Sequence, residues 1–231
     1  MFEISPTEWT AILLSLRVAI IATLAATPFG IALAWLLARY DFWGKSILDA
    51  AVHLPLVLPP VVTGYLLLLM LGRRGLIGAW LADNLGIVFA FRWTGAALAC
   101  GVMSFPLLVR PIRLSIEAID RRLEQAASTL GAAPWRVFAT VTLPLALPGI
   151  LAGMVLGFAK AIGEFGATIT FVSNIPGETQ VISSAIYSLI QTPDGDAAAM
   201  RLVIISIVIA TAALIGSEWF ARRATQRLHG N

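Results

Sequence analysis

Residues 10–38 read TAILLSLRVAIIATLAATPFGIALAWLLA, with Arg17 as the one charge. A helix crosses the hydrocarbon of a bilayer with about 20 apolar residues, so this stretch can span it with residues to spare. Four further segments qualify: residues 50–71, 93–115, 145–171 and 202–220. Two weaker stretches do not. Residues 76–91 are split by Asp83, Asn84 and Gly86, and residues 182–190 are too short, so both read as interfacial or re-entrant pieces.

Composition agrees. Of 231 residues, 58% are hydrophobic and 13% charged, against roughly 45–50% and about 25% in a soluble domain. Mean hydropathy is +0.86. That balance excludes a soluble enzyme, a disordered chain and a nucleic-acid-binding domain. The expectation is an all-α integral membrane protein with five transmembrane helices, forming a single domain over residues 1–231. Cys100 is alone, which excludes an intrachain disulfide and a cysteine metal cluster. The first nine residues carry Glu3 and Glu8 but no Lys or Arg, unlike a secretory leader.

Basic residues gather on the cytoplasmic side of a membrane. One set of loops holds Arg39, Lys45, Arg110, Arg113, Arg121, Arg122, Arg136, Arg222, Arg223 and Arg227; the other holds Arg73, Arg74, Arg92 and Arg201. This predicts an outer N-terminus and a cytoplasmic C-terminus.

The largest cytoplasmic loop, residues 117–144, has helical apolar spacing. Ile116, Ile119, Leu123, Ala126, Ala127 and Leu130 form one face, and Glu117, Asp120, Arg121, Glu124, Gln125 and Ser128 the other. Gly131 is placed to stop this helix in the left-handed conformation. Pro134 can open a second short helix, which Pro144 and Pro148 are expected to end. The product is a compact knob suited to a groove in another protein.

Glu124-Gln125-Ala126-Ala127, followed by Gly131 and then Val141-Thr142-Leu143-Pro144, resembles the EAA loop of ABC-type import permeases. Gln125 stands where that family usually has its glutamate, with Glu124 one residue earlier. Residues 53–62 (HLPLVLPPVV), 163–168 (GEFGAT) and 173–180 (SNIPGETQ) resemble the permeases of bacterial molybdate importers, with sulfate permeases as near relatives. The resemblance implies the ABC type I importer permease fold in the cell inner membrane. It implies that Glu124, Gln125, Ala126, Ala127, Gly131, Leu143 and Pro144 form a coupling loop docking on a cytoplasmic ATPase. It also implies a periplasmic substrate-binding protein and a second copy of the chain. Tungstate and sulfate stand as alternative cargoes, and a self-contained secondary carrier as an alternative class.

A phosphate-binding loop would read G-x-x-x-x-G-K-[ST]. Gly44-Lys45-Ser46 matches its tail, but Arg39 occupies the place of the first glycine. No cofactor is expected in this chain; ATP and Mg belong to the partner ATPase. No zinc-ligand spacing or nucleophile elbow points to a membrane enzyme.

Within the spans, Lys160 and Glu164 lie four apart on one helix face. Charges there are costly and face a protein interior or a water path. Two readings stand: a pair lining or gating the translocation path, or a mutually satisfied pair near the outer surface. Pro59 and Pro60, with Pro55, predict a kink that either borders the path or is purely structural. Gly149, Gly153 and Gly157 offer a close-packing groove to a helix of the same chain or of a second copy. Arg17 is expected to snorkel to the headgroups, and His53 to pack at the interface.

Overall fold

The computed structural model describes residues 4–229, with side chains through residue 216. Among these residues every regular element is helical. Helix α1, Pro6–Arg39, starts on a capping box: Ser5 Oγ accepts from the Glu8 N–H at 3.2 Å, and Glu8 Oε2 accepts from the Ser5 N–H at 2.6 Å. Its 34 residues rise about 51 Å. Glu8 Oε1 also accepts from Arg201 at 2.9 Å, fastening the start of α1 to the last helix.

The second expected span is not one rod. It forms α2, Lys45–Val57, and α3, Pro60–Leu71, bent by 114°. Pro59 and Pro60 lack the N–H groups that would bond back to the preceding turn, and Leu58 and Pro59 are extended. The stretch after α3 becomes α4, Leu76–Leu85, ended by Gly86 at φ +66°.

Helix α5, Trp93–Glu117, is the core of the fold. The cytoplasmic loop follows as α6, Arg121–Thr129, and α7, Pro134–Val137, with a wide π-helical turn, Phe138–Thr142, and α8, Leu143–Leu145. The fourth expected span is also broken. Helix α9, Leu147–Ile162, is only 16 residues long, and α10, Gly166–Val172, resumes after residues 163–165 leave helical geometry. The short stretch of residues 182–190 is α11, Ile182–Leu189, and the last span is α12, Asp196–His229. Three helices (α1, α5 and the first part of α12) are long and apolar enough to cross a membrane. The number rises to five if each of two bent pairs is one span: α2 with α3, and Pro134–Leu145 with α9, the latter bent by 68°.

Helices α1, α5 and α9 pack as a triangle. Leu108, Val109, Ile112 and Ile116 of α5 are essentially inaccessible, facing Ala34 and Ala38 of α1 and Ile150 of α9. Helix α12 lies outside, against α9 and α11.

The glycine groove is filled by α5 of the same chain. A Cβ on Gly153 would lie 2.5 Å from the Leu108 carbonyl oxygen, and one on Gly149 would collide with Ser115 and lie 2.7 Å from the Pro111 oxygen. Gly157 faces Leu108 at ordinary contact distance. A second copy has no access to these positions.

The obstacle at Gly153 is backbone and cannot rotate away. Gly153→Val is expected to lower stability by about 1–3 kcal/mol, read as a fall in thermal midpoint in detergent. Gly216→Ala, whose added carbon meets open space, should show no fall. Equal behaviour of the two variants would contradict the α5–α9 packing.

Candidate functional site

The cytoplasmic loop is shaped by its caps. Asp120 Oδ1 accepts from the Arg122 N–H at 2.9 Å and opens α6. At the other end Gly131 takes φ +86°. The Gly131 N–H bonds the Ser128 carbonyl and the Ala132 N–H the Ala127 carbonyl, the paired bonds of a Schellman stop. Pro134 opens α7 at its first position.

The second helical piece runs through Pro144, which lies in the first turn of α8, and ends at Leu145. Pro148 follows that end in the first turn of α9, beyond the 68° bend, where a missing N–H costs nothing. The wide turn before Pro144, closed by the Leu143 N–H on the Phe138 carbonyl, has already reset the hydrogen-bond register.

The amphipathic face expected for the loop is divided. Ile116 and Ile119 belong to the end of α5 and the turn after it, and both are buried. On α6 the polarity is reversed: Leu123 is 51% exposed and Leu130 89%, with Trp135 on α7 at 67%. The inward residue is Glu124. Arg39 Nε lies 3.0 Å from Glu124 Oε2, and Thr142 Oγ1 donates to Glu124 Oε1 at 2.6 Å. Arg39 Nη2 donates to Glu124 Oε1 at 3.1 Å and to the Ile119 carbonyl at 3.4 Å. Glu124 thereby ties α6 to the end of α1 and to the turn before α8. Around this link lies a cavity of about 490 Å³, lined by Trp35, Arg121, Ser128 and Phe138 among others. Gln125, at the position of the expected charge, is exposed, as are Ala126, Gly131 and Pro144; Ala127 and Leu143 are half-buried. The sequence reading missed Arg39 and Thr142. Arg39 carried a topology signal only, and nothing local links it to a residue 85 positions later.

The structure brings together the second group of candidates. Lys160 Nζ donates to Glu164 Oε2 at 2.7 Å. Glu164 is 2% exposed, and its Oε1 accepts from the Ala167 N–H at 3.1 Å, capping α10. Its carbonyl accepts from Ser183 Oγ at 2.7 Å. Both carboxylate oxygens are occupied, so in this conformation the pair is mutually satisfied and splints the α9–α10 break. Opposite it, Pro60 abuts Gly166, where a Cβ would lie 2.7 Å from the proline ring, and Gly64 abuts the Ala167 backbone. The break at Pro59–Pro60 thus packs on the break beside Glu164. Thr63 adds a hydroxyl that the sequence reading did not single out: it is buried at 6% exposure with no hydrogen-bond partner.

His53 Nδ1 lies 2.8 Å from the Asp49 carbonyl of its own helix. The Arg17 guanidinium stacks on the Trp93 ring at 3.8 Å from its centroid.

Comparison with known proteins places this geometry. The chain is 63% identical over 220 residues to the molybdenum transport system permease protein ModB of Escherichia coli (strain K12), covering 95% of this chain and 96% of that one. It is 57% identical over 221 residues to the ModB protein of Haemophilus influenzae, covering 96% of each chain. Among solved structures, it matches one chain of a bacterial alginate ABC transporter in complex with alginate pentasaccharide-bound periplasmic protein. The TM-score is 0.75 at 21% identity, covering 96% of this chain and 81% of that one. That likeness shows a shared overall fold. Residues 26–226 match the model of binding-protein-dependent transport system inner membrane components, and the chain belongs to that family of ABC importer permeases.

Proposed function

We propose that this chain is the membrane-spanning subunit of an ATP-driven importer of molybdate. The observation that carries the substrate is the 63% identity to the molybdenum permease over nearly the whole chain. In this reading residues 1–231 form one transmembrane domain in the inner membrane, with the N-terminus in the periplasm and the C-terminus in the cytoplasm. The chain is not itself an enzyme. ATP and Mg bind a separate cytoplasmic ATPase, a periplasmic binding protein delivers the anion, and a second copy of the chain completes the path.

The inverted face of α6 supports docking on the ATPase. Leu123, Leu130 and Trp135 project into solvent, and apolar groups clustered on a surface mark an interaction site. Glu124 holds that knob from behind through Arg39 and Thr142. Movement of the ATPase would then reach α1 and the arm leading to α9 together. A ligand shifts a conformational equilibrium only by its differential affinity for the two states; here the differential contact is between the knob and the ATPase with and without nucleotide. The path runs beside the paired breaks at Pro59–Pro60 and Glu164, with Lys160 as the partly exposed charge. One cation there gives no tight permanent site for a dianion, which suits a path that must release its cargo.

Uptake of labelled molybdate by vesicles holding this chain, its ATPase and its binding protein tests the reading. ATP-dependent uptake that excess sulfate does not suppress is the expected result. Suppression by sulfate would make the chain a general oxyanion permease, and uptake without the ATPase would sink the assignment.

In the same vesicles, Glu124→Gln weakens a charged link of about 1.5–3 kcal/mol. Molybdate moved per ATP hydrolysed should fall about tenfold while the complex still assembles. An unchanged ratio would show that the Glu124 link carries no motion. Glu164→Gln should slow transport, because a neutral amide keeps the shape but loses the Lys160 pairing. Normal transport and coupling in that variant would remove Lys160–Glu164 from the path.

A further inference from the structure

A wedge-shaped cavity of about 750 Å³ lies between α1, α2 and α5. Ile21 and Phe29 line it from α1, Val52 from α2, and Trp93, Ala97 and Phe105 from α5. Among the described residues Thr94 is the one hydroxyl in the lining, and no charged side chain lines it. Such a lining suits hydrocarbon chains rather than a hydrated dianion.

Its two ends differ. At one mouth Arg17 stacks on Trp93 at 3.8 Å, and Arg17 is exposed. Among the described residues Arg17 joins no carboxylate in an ion pair. At the other end, one turn beyond Val52, Asp49 is bridged to Arg113 Nη1 of α5 at 2.9 Å. That bridge ties α2 to α5 and closes the wedge.

Depth can be counted along the helices. Arg17 and Arg39 are 22 residues apart on α1, about 33 Å of rise, which matches the ~30 Å hydrocarbon core. With Arg39 at one boundary, Arg17 and Trp93 lie at the opposite headgroup level, where aromatic rings and cationic side chains are both favoured. The lining of α5 from Trp93 to Phe105 covers about 18 Å, close to the ~15 Å depth of one leaflet.

We propose that this wedge is a binding site for one phospholipid of the leaflet on the Arg17 side, its acyl chains between α1, α2 and α5 and its phosphate on the Arg17 guanidinium. The apolar lining takes the chains. The cation, unpaired with any carboxylate, takes the anionic headgroup, and the Asp49–Arg113 bridge sets the depth. The lipid fills the space that keeps α2 splayed from α1, and so braces the helix that leads to the Pro59–Pro60 break.

The test uses the assembled complex of this chain with its ATPase, reconstituted with a phospholipid carrying a photoreactive group in its acyl chain. Labelling is expected on peptides covering residues 21–29 and 93–105. Gly101→Leu should fill the wedge from a position where an added Cβ has room, 3.7 Å from the Ala22 oxygen. Arg17→Gln should remove the headgroup contact. Arg17→Gln should cut labelling about fivefold, the equivalent of one cation at a lipid surface, Arg17→Lys should retain most of it, and Gly101→Leu should lower it by occupying the chain space. Labelling that is unchanged in both Gly101→Leu and Arg17→Gln would overturn the site. So would an efficient disulfide-linked dimer of Phe29→Cys, because the wedge would then hold a second copy of the chain.

Discussion

Within hydrocarbon no water is present to bond a freed peptide group, so backbone that leaves helical geometry must be satisfied by protein. This chain leaves it twice inside apolar segments, at residues 58–59 and 163–165. The two breaks are stacked on each other. Pro60 sits on Gly166 and Gly64 on the Ala167 backbone, while the Glu164 carboxylate caps α10 and holds Lys160. Each break bonds its backbone within its own helix pair, the Leu58 N–H to the Leu54 carbonyl, the Val62 N–H to the Pro59 carbonyl and the Ile169 N–H to the Phe165 carbonyl. Together they make a junction that joins α3 to α10 and thereby fixes how α2 and α9 approach it.

The opposite end of the bundle obeys a different constraint. Leu123, Leu130 and Trp135 are exposed on short helices with few contacts of their own. Such helices are marginal when isolated. The Arg39–Glu124–Thr142 link compensates by fixing α6 from its inner side across a cavity. One carboxylate thus joins α6, the end of α1 and the turn that leads to α8.

Much of this was legible without a structure. The 3.6-residue period and the apolar runs located every long helix. Gly131 and Pro134 marked the turn and the start of the second short helix, because a left-handed residue and a missing N–H have the same local meaning in any fold. Pro144 misled for the same reason: a proline can stop one helix or sit in the first turn of the next, and only the wide turn at Phe138–Thr142 decides between them, whereas Pro148 does follow the end of the piece at Leu145.

Sequence alone therefore determined that the chain is an all-helical membrane protein and where its long helices run, because hydropathy, capping and spacing act over a few residues, while the resemblance of its motifs to known permeases pointed to the family. Tertiary structure decided which face of α6 looks outward, that α5 fills the glycine groove, and that Glu164 is a splint between two helices. It also decided that the second and fourth segments are broken and meet at their breaks. Each of those outcomes depends on contacts between residues far apart in the chain, such as Arg39 with Glu124 and Pro60 with Gly166, and no local energy term specifies such a pairing.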